Sequence, residues 1–368
     1  MLKVVLVTNV PPPYRVPVFN LIAKSKEIYF SVIFCAERYP WSSWDYDAIA
    51  FEAVFLKERF YKKSGSTEEV IHNNPDIFGQ LKRLNPDVVI TTSFNPTALY
   101  AFCYTLVNRR KHVPFSDGTV VSEAKFSFLH RWVRSFVYRF SAVFIGASLN
   151  TKRLYESYGL SGGLLFQSHL CADNSRFMAV TAAKRFDLIF CGRFVERKNP
   201  LFAVEVAAAL QNRLGRDISI LFVGKGPMES EMRALVEKYR LSNYNFHGFA
   251  SQQELPSLYA SARVFLFPTY DDPWGVVANE ACAAGLPVVT TPYAGVAGEL
   301  VRDGENGYVC EPIAELWVER LVLLLEGDDL YARFSNRARE ISAEYSYENA
   351  AAGIVRAALA AAVGNSSA

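Results

Sequence analysis

The sequence predicts an α/β protein of two doubly wound domains, each a parallel sheet covered by helices on both faces. The chain has 368 residues, a length that favours two domains. Short apolar runs rich in Val and Ile alternate with longer helical patterns from end to end. These runs are apolar on both faces, which is typical of parallel strands packed between helices. A hydrophobic content of 51% with 21% charged residues excludes a disordered or low-complexity chain.

Eleven apolar runs are the predicted strands. Five lie in the first half, at residues 4–8, 29–34, 88–92, 113–115 and 143–145, and six in the second, at 188–191, 219–223, 244–247, 264–267, 288–290 and 307–309. The pattern is interrupted by polar residues over 166–185, which we take as the domain junction.

The predicted domains are therefore 1–168 and 169–345, followed by a C-terminal helix and tail, 346–368, that packs back on the first domain. A frayed tail is expected from residue 364 onward. Two such domains facing each other leave a cleft at the carboxyl ends of their strands, where this architecture binds ligands.

The charge balance excludes a global attraction to nucleic acid. The formal net charge is only +2, although residues 1–170 hold 20 Lys and Arg against 13 Asp and Glu. The six cysteines have no C-x-x-C spacing, which favours free thiols in a reducing compartment. The N-terminal apolar run is too short for a signal sequence, and no segment is a convincing bilayer span. We expect a cytoplasmic protein.

Glycines and cations follow two predicted strands of the second domain. One strand runs into Gly192 and Arg193 with Lys198 close behind, a pattern suited to holding a diphosphate. The alternative is a pair of solvated surface cations. The next strand ends in Gly224 and Gly226, which either allow close approach of a ligand or form an ordinary tight turn.

The most informative segment spans residues 265–290. A strand is followed by an acidic loop with Asp272, then by a helix that we expect to begin at Pro273, with Gly275 in its first turn and Glu280 inside it. Amides at a helix N-terminus bind phosphate, whereas carboxylates accept hydrogen bonds from sugar hydroxyls. This combination predicts a nucleotide-sugar site. The alternative for Glu280 is an acid on the helix surface.

These motifs, taken in order, closely resemble those of the retaining, Leloir-type glycosyltransferases of group 1, or family 4, which have the GT-B fold of two Rossmann-like domains. The resemblance covers residues 187–312 and rests on Gly192-Arg193 with Lys198, on Gly224-x-Gly226, on Gly248, and on Asp272 and Glu280 with seven residues between them. Residues 1–165 resemble the family only in their α/β pattern.

The resemblance implies roles for individual residues. Arg193 and Lys198 would neutralise the donor diphosphate, Glu280 would hold the ribose hydroxyls, and Asp272 would contact the transferred sugar, at a position where the family usually has Glu. We therefore treat Arg193, Lys198, Asp272 and Glu280 as candidate catalytic residues. The implied donor contacts are Gly192, Gly224, Gly226, Gly248, Phe249, Gly275 and Val276.

The first domain departs further from the family. Tyr14 and Arg15 replace its usual glycine pair, and we expect both to contact the acceptor; the alternative for Arg15 is a solvated arginine. Asp117 stands where many members have a catalytic histidine, and is either a catalytic group or part of a simple Asp-Gly turn. The five histidines have no metal-binding spacing, and we expect neither a metal nor a cofactor beyond the donor.

The segment from Phe126 to Phe140 has an amphipathic helical pattern. Its apolar residues, Leu129, Trp132, Val133, Phe136, Val137 and Phe140, share one face, and Arg131, Arg134 and Arg139 lie elsewhere. With Lys125 and the basic run 109–111 nearby, this helix either contacts anionic lipid as a peripheral membrane element or packs on the core with a solvated basic side.

The sequence thus predicts a retaining transferase that moves a hexose from a nucleotide-diphosphate sugar to a hydroxyl of a saccharide or lipid-linked acceptor during cell-surface glycan synthesis. Two alternatives remain open. One is a sugar-nucleotide epimerase of the same fold, and the other is a non-catalytic subunit that binds a nucleotide sugar.

Overall fold

The computed structural model describes residues 1–39, 48–62, 70–124 and 126–363. Lys125 and the predicted tail from residue 364 lie outside the described residues. Within them, no helix combines the length and apolar character needed to cross a bilayer.

The strands are, in chain order, β1 (Leu2–Thr8), β2 (Ile28–Phe34), β3 (Glu52–Phe55), β4 (Phe60–Lys62), β5 (Val70–His72), β6 (Val88–Thr91), β7 (Lys111–Ser116), β8 (Phe144–Gly146), β9 (Leu165–Gln167), β10 (Phe186–Cys191), β11 (Ser219–Val223), β12 (Asn243–Gly248), β13 (Ala262–Phe267), β14 (Val288–Thr290) and β15 (Gly307–Val309).

The helices are α1 (Val16–Ile22), α2 (Ile77–Leu84), α3 (Pro96–Val107), α4 (Val120–Ala124), α5 (Phe128–Arg139), α6 (Leu149–Ser157), α7 (Asn174–Met178), α8 (Pro200–Leu214), α9 (Glu229–Lys238), α10 (Leu255–Ala260), α11 (Val276–Ala283), α12 (Ala314–Glu326), α13 (Asp328–Glu344) and α14 (Tyr347–Val363).

The chain divides into two compact units. The first comprises Met1–Leu170 with Tyr347–Ala368, and the second Cys171–Ser346. In the described residues of the first unit, seven parallel strands form a sheet in the order β3-β2-β1-β6-β7-β8-β9, and β4 pairs antiparallel with β5 apart from it. The C-terminal helix α14 packs in this unit against α1 and β9.

The second unit contains a parallel sheet in the order β12-β11-β10-β13-β14-β15 within the described residues. Its central strands read as continuous apolar runs because both faces are covered: Leu188, Ile189 and Phe190 of β10 are each at most 2% exposed. Leu188 pairs with Ile220 of β11 on one side and with Val264 of β13 on the other.

All eleven predicted strands are present, with end shifts of at most three residues. The strands that were not predicted, β3, β4, β5 and β9, are short, and the described residues of β3, β5 and β9 are mostly half-buried or exposed, so they lack the buried apolar run that marks β8 and β14. The six cysteines all lie in the described residues and are free thiols, with Cys103 exposed and the others buried.

The orientation of α5 corrects the prediction that its apolar face packs on the core. Leu129, Trp132, Phe136 and Phe140 are exposed, whereas Arg134 is buried. Of the predicted apolar stripe, only Val137 is buried, and Val133 is half-buried. The reason is the partner of Arg134: its Nε donates to the buried carboxylate of Glu123 at 2.8 Å.

Candidate functional site

The candidate site lies at the centre of the second sheet, where the strand order changes direction. Strands β10 and β13 are neighbours there, and the chain leaves them toward opposite halves of the sheet. In doubly wound sheets, the loops that follow such a strand pair diverge and leave a crevice for a ligand. The loop after β10 carries Arg193 and Lys198, and the loop after β13 carries Asp272 and Gly275.

Backbone and hydroxyl groups join these two loops. The carbonyl of Arg197 accepts hydrogen bonds from the Thr269 hydroxyl and from the Tyr270 N–H, both at 2.8 Å. Thr269 is fully buried, and its own carbonyl accepts from the Thr291 hydroxyl at 2.6 Å. The two loops are therefore held together by buried hydrogen bonds.

Lys198 and Asp272 form an ion pair between the loops. The ammonium contacts Asp272 Oδ2, and the two side chains are only 13% and 11% exposed. Burial lowers the pKa of Lys198, and the Asp272 carboxylate opposes that shift. Lys198 also lies 5.2 Å from the centre of the Phe267 ring. A solvated surface lysine, the alternative weighed from sequence, is not what the structure shows.

The loop that carries Asp272 is anchored by Trp274, which is 1% exposed. The Trp274 N–H donates to Asp272 Oδ1 at 3.3 Å, and its indole Nε1 donates to the buried Asn279 at 2.7 Å. The Gly295 N–H in turn donates to the Asp272 carbonyl at 2.8 Å. These contacts fix the carboxylate at the entrance to α11.

Gly275 is the N-cap residue of α11, which begins at Val276 and not at Pro273 as the sequence predicted. Its φ of +101° is unfavourable for other residues, and a Cβ there would lie 2.4 Å from Cζ of Phe267. The same position would be 3.6 Å from Asp272 Oδ2. The first amides of α11 thus begin beside the Lys198–Asp272 pair, in a position suited to bind an anion.

Glu280 lies inside α11 and is 7% exposed, so the prediction of a surface acid is excluded. Its Oε2 accepts a hydrogen bond from the Tyr259 hydroxyl at 2.9 Å. Burial raises the pKa of Glu280 to about 7, and the hydrogen bond from Tyr259 opposes that shift. In the described residues, Oε1 has no hydrogen-bond partner, which leaves one carboxylate oxygen for a ligand.

Cys191, the last residue of β10, links the carboxylate to the ion pair. Burial raises the pKa of its thiol to about 12; Glu280 raises it further, and a hydrogen bond with Tyr259 and the charge of Lys198 lower it. Both charged groups therefore act on the same buried sulfur. Lys198, Asp272 and Glu280 thus form one cluster at the ends of β10 and β13: the first two are an ion pair, and Glu280 lies on the helix that begins beside that pair.

The glycine positions lie at three adjacent strand ends. The Gly224 N–H donates to the Gly248 carbonyl at 2.7 Å, and a Cβ on Gly224 would lie 2.0 Å from the Gly192 carbonyl oxygen. Gly226 packs on the backbone of Phe194. The next residue after Gly248, Phe249, is 64% exposed. These glycines are needed for the loops to pack together, whether or not a ligand approaches them.

Arg193 follows Gly192 directly and is exposed. Its carbonyl accepts from the Val195 N–H at 3.0 Å, so the loop turns sharply between the strand and Lys198. The two predicted cations thus differ in burial: Lys198 is enclosed, whereas Arg193 is exposed on the same loop.

In the first unit, Arg15 is 7% exposed, which excludes the solvated alternative. Its guanidinium donates to the Ser168 hydroxyl at 3.3 Å and to the His169 carbonyl at 3.1 Å, and it lies 4.5 Å from the centre of the Phe115 ring. Arg15 therefore supports the segment after β9. Tyr14 beside it is half-buried.

Asp117 follows β7 and is exposed. In the part of the chain that the structure describes, its carboxylate makes no hydrogen bond or ion pair, and the turn that was the alternative does not form; instead, the Gly118 N–H donates to the Ser116 hydroxyl at 3.0 Å. Asp117 is available at the carboxyl edge of the first sheet.

Sequence reasoning missed two sets of residues. Tyr259 lies 21 residues before Glu280 on another helix, and no spacing connects them. In the first unit, Asn9 and Asn95 meet at the ends of β1 and β6, where Asn95 Nδ2 donates to Asn9 Oδ1 at 2.8 Å. The Asn-Pro pair that opens α3 is a helix-start signal that identifies Asn95 as a cap.

Residues 172–341 match the model of the family described as glycosyl transferases group 1. The matched region lies within the second unit and includes every candidate site residue of that unit.

Two curated relatives illustrate the similarity. The chain is 31% identical over 185 residues to the putative colanic acid biosynthesis glycosyltransferase WcaL of Escherichia coli, an alignment that covers 47% of this chain and 45% of WcaL. It is 30% identical over 141 residues to D-inositol 3-phosphate glycosyltransferase of an Arthrobacter species, covering 37% of this chain and 33% of the relative. The matches thus span less than half of these relatives' length.

Solved structures match over nearly the whole chain. HepE of Anabaena in complex with UDP superposes with a TM-score of 0.75 over 97% of this chain and 99% of HepE, at 15% identity. A glycosyltransferase of Rickettsia africae superposes with a TM-score of 0.72 over 96% of this chain and 97% of its own, at 16% identity. The predicted fold class is confirmed: the chain has the GT-B arrangement of two Rossmann-like domains.

Proposed function

We propose that this chain is a retaining Leloir-type glycosyltransferase of family 4 that transfers a hexose from a nucleotide-diphosphate sugar to a hydroxyl of a saccharide or lipid-linked acceptor. The observation that carries this proposal is the cluster around β10 and β13, where an enclosed cation, a helix N-terminus and a buried carboxylate lie together. Lys198 and the α11 amides at Gly275 and Val276 suit a diphosphate, and Glu280 suits ribose hydroxyls.

In this proposal, the charge that develops on the departing diphosphate is stabilised by Arg193, Lys198 and the α11 amides. Donors placed beforehand around a developing charge lower the barrier more than donors that must reorganise. Because these groups supply the positive charge, we propose that the reaction needs no metal and no cofactor besides the donor.

Binding of the donor exchanges the partners of the ion pair. The diphosphate takes over the ammonium of Lys198, and the Asp272 carboxylate turns to the hydroxyls of the transferred sugar. The Lys198–Asp272 contact supports this step, because it places the two charged groups that the donor would engage side by side.

The remaining donor contacts follow from the glycines at the strand ends. Gly192, Gly224 and Gly226 let the ligand approach the backbone, and Gly248 with Phe249 lies against the base. Support comes from the adjacency of the three strand ends and from the exposure of the Phe249 ring, which offers a surface for stacking.

We assign the acceptor to the first unit, with Asp117 as the group that stabilises positive charge at the anomeric carbon or receives the acceptor proton. Tyr14 lies near the acceptor, and Arg15 contributes by holding the segment 168–169 in place. We propose departure and attack on the same face of the sugar, which retains the configuration.

The free cysteines support a reducing, cytoplasmic location, and we propose that the protein acts at the inner face of a membrane in cell-surface glycan synthesis. The name of WcaL, which refers to colanic acid biosynthesis, agrees with this class of product. Because HepE was solved with UDP, UDP-hexoses are the first donors to test.

The test is product formation. Each of a set of UDP-, GDP- and ADP-hexoses is incubated with the protein and with oligosaccharide and lipid-linked saccharide acceptors, and products are detected by mass spectrometry. We expect one donor to give a product whose new linkage has the anomeric configuration of the donor by NMR. Inversion at that linkage would overturn the retaining mechanism.

The donor alone separates the alternatives. An isomerised sugar formed without acceptor would indicate an epimerase, and tight binding with no product from any acceptor would indicate a non-catalytic subunit; either result overturns the proposal. Lys198→Ala should abolish transfer. Lys238→Ala, which removes an exposed lysine at the end of α9 in the same unit, is the matched control and should leave transfer unchanged.

A further inference from the structure

Helix α5 of the first unit presents an apolar stripe to solvent. Phe128 is 83% exposed, Leu129 66%, Trp132 55%, Phe136 42% and Phe140 49%. The Trp132 and Phe136 rings stack at 5.8 Å between centres, and Phe136 and Phe140 lie 5.0 Å apart. Large side chains so close together form a continuous patch, and such patches mark sites of association.

The stripe faces outward because a polar contact fixes the inner face of the helix. Arg134 bonds to Glu123 at 2.8 Å, and its guanidinium lies between the rings of Phe94 and Phe126, at 4.4 and 4.3 Å from their centres. The Tyr158 hydroxyl donates to the other carboxylate oxygen of Glu123 at 2.9 Å. Rolling the helix to bury the stripe would break this buried network, so the exposure is a property of the folded unit.

The surroundings of the stripe are basic. Neither residues 94–116 nor residues 126–155 contain an Asp or a Glu. On α5 itself, Arg131 and Arg139 are exposed, as is Arg109 after α3. Glu123, the acid that contacts this helix, is buried and paired with Arg134. The face therefore combines aromatic side chains with the exposed guanidinium groups of Arg131 and Arg139.

A groove of about 390 Å³ opens beside the stripe, with Trp132, Phe136, Arg139 and Tyr158 in its wall. Its aromatic rings suit glycerol and acyl carbons, and the Arg139 guanidinium suits a phosphate group. Apolar and cationic groups thus meet at the same place, as the interface of a lipid leaflet requires.

We propose that α5 is a membrane-docking helix that lies in the interface of a leaflet rich in anionic lipid, with Leu129, Trp132, Phe136 and Phe140 inserted among the acyl chains and Arg131 and Arg139 at the headgroup phosphates. Aromatic side chains favour this depth, and each basic residue near an anionic surface strengthens the association. The proposal deepens the membrane location proposed above, and it stands on the first unit alone.

Charge decides between a bilayer and a second copy of the chain. In a two-fold symmetric dimer through this face, Arg131 and Arg139 of one copy would meet the same residues of the other, since such interfaces pair one patch with itself. Like charges at an interface disfavour association. An anionic leaflet pairs with the arginines and accepts the aromatic rings in one contact.

The experiment is flotation of the full chain with vesicles, in the absence of nucleotide sugar. Vesicles of phosphatidylcholine mixed with phosphatidylglycerol are compared with vesicles of phosphatidylcholine alone. We expect the wild type to bind the anionic vesicles. The double variant Trp132→Ser with Phe136→Ser should have a partition constant lower by at least about tenfold, because transfer of each aromatic side chain out of water favours binding by about that factor or more. Phe78→Ser is the matched control, since Phe78 is also 42% exposed in the same unit.

A second arm tests the charges. Arg131→Glu with Arg139→Glu should abolish the preference for anionic vesicles, whereas Arg153→Glu, at an exposed site on α6, should not. Trp132→Phe should bind like the wild type but lose the blue shift of fluorescence that vesicles induce, which identifies Trp132 as the inserted tryptophan. All variants are first compared with the wild type by circular dichroism to confirm folding.

Three results would overturn the proposal. One is a wild type that does not bind anionic vesicles, and another is a Phe78→Ser variant whose partition constant falls as much as that of Trp132→Ser with Phe136→Ser. The third is a concentration-dependent dimer in solution that α5 substitutions convert to monomer. None of these depends on transfer activity. A protein that binds vesicles but transfers no sugar would overturn the proposed function and leave the docking helix standing.

Discussion

Glu280 is a buried carboxylate in a unit that gives it one hydrogen-bond donor. Such a group is costly to keep charged, and its pKa of about 7 reflects this. A packing role alone would be served by an amide or an apolar residue. A carboxylate at this position is explained if a hydroxyl group of the ligand donates a hydrogen bond to Glu280 Oε1.

The raised pKa predicts how stability depends on pH. A carboxyl whose pKa rises from 4.5 in the unfolded chain to about 7 in the folded one stabilises the fold at low pH, and that contribution is lost as pH rises through 7. A shift of this size corresponds to on the order of 3 kcal/mol. Glu280→Gln should therefore raise the free energy of unfolding above that of the wild type at about pH 8, but much less at about pH 5.

Urea unfolding at the two pH values measures this difference. Glu205→Gln, on the half-buried edge of α8 in the same unit, is the control and should behave like the wild type at both. An identical gain from Glu280→Gln at both pH values would contradict the assignment of the titration to Glu280.

Tyr259 is a positioning residue in this account. Its hydroxyl lowers the pKa of Glu280 by donating to Oε2, so Tyr259→Phe should raise that pKa and weaken donor binding most strongly near neutral pH. Raising the pH should restore much of the affinity. Calorimetric titration of the donor across pH measures the midpoint of this dependence.

The chain offers a matched control for Tyr259. The Tyr293 hydroxyl also donates to a glutamate, Glu311, at 2.8 Å, but that pair is at the surface. Tyr293→Phe should not move the midpoint. A loss of affinity in Tyr259→Phe that is the same at every pH would indicate a merely structural role.

A substitution at Gly275 tests how closely the loop after β13 packs against Phe267. An alanine there meets both a φ of +101° and the Phe267 ring, so Gly275→Ala should lower the free energy of unfolding by about 2–4 kcal/mol. Gly215→Ala faces a φ of +63° with open space around it, so it should cost only about 1 kcal/mol. Denaturant unfolding compares them, and equal losses would rule out the close packing at Gly275.

Lys198, Asp272 and Glu280 were singled out from strand ends and helix starts, and their roles stay predictions. The structure shows that Lys198 pairs with Asp272 and that Glu280 is buried on α11. Tyr259 was missed because its contact joins two helices, and such contacts have no local signal. The ion pair between Lys198 and Asp272 was missed for the same reason.

At the scale of elements, α5 shows what periodicity leaves undetermined. The hydrophobic period correctly predicted one apolar stripe, but the side of the helix that faces the core depends on Arg134 and Glu123. The start of α11 shows the same limit: Pro273 is a good first helical residue, yet the φ of Gly275 sets the beginning at Val276.

The Arg134–Glu123 contact makes α5 sensitive to one substitution. Arg134→Met leaves a buried carboxylate without its cation, so we expect a loss of about 3–5 kcal/mol in the free energy of unfolding. Arg131→Met, on the exposed side of the same helix, should change it by less than about 0.5 kcal/mol. Adding Glu123→Gln to Arg134→Met should recover part of the loss; if it recovers none, the contact is not what holds the helix.

At the scale of the molecule, alternation of strands and helices was enough to predict two doubly wound units, because parallel strands need helical connections. The strand order within each sheet was not predicted, since sequence fixes which segments form strands but not which become neighbours. That order is what places the loops after β10 and β13 side by side and thereby forms the site.

The central claim is that the second unit binds a nucleotide-diphosphate sugar through Lys198 and the groups around it. Calorimetric titration of the nucleotide sugar that most raises the melting temperature measures this directly, with wild type, Lys198→Ala and Lys238→Ala compared at one ionic strength. The account predicts a fall in affinity of at least about tenfold for Lys198→Ala and none for Lys238→Ala. Equal affinity in all three proteins, or no nucleotide sugar that binds the wild type, would contradict it.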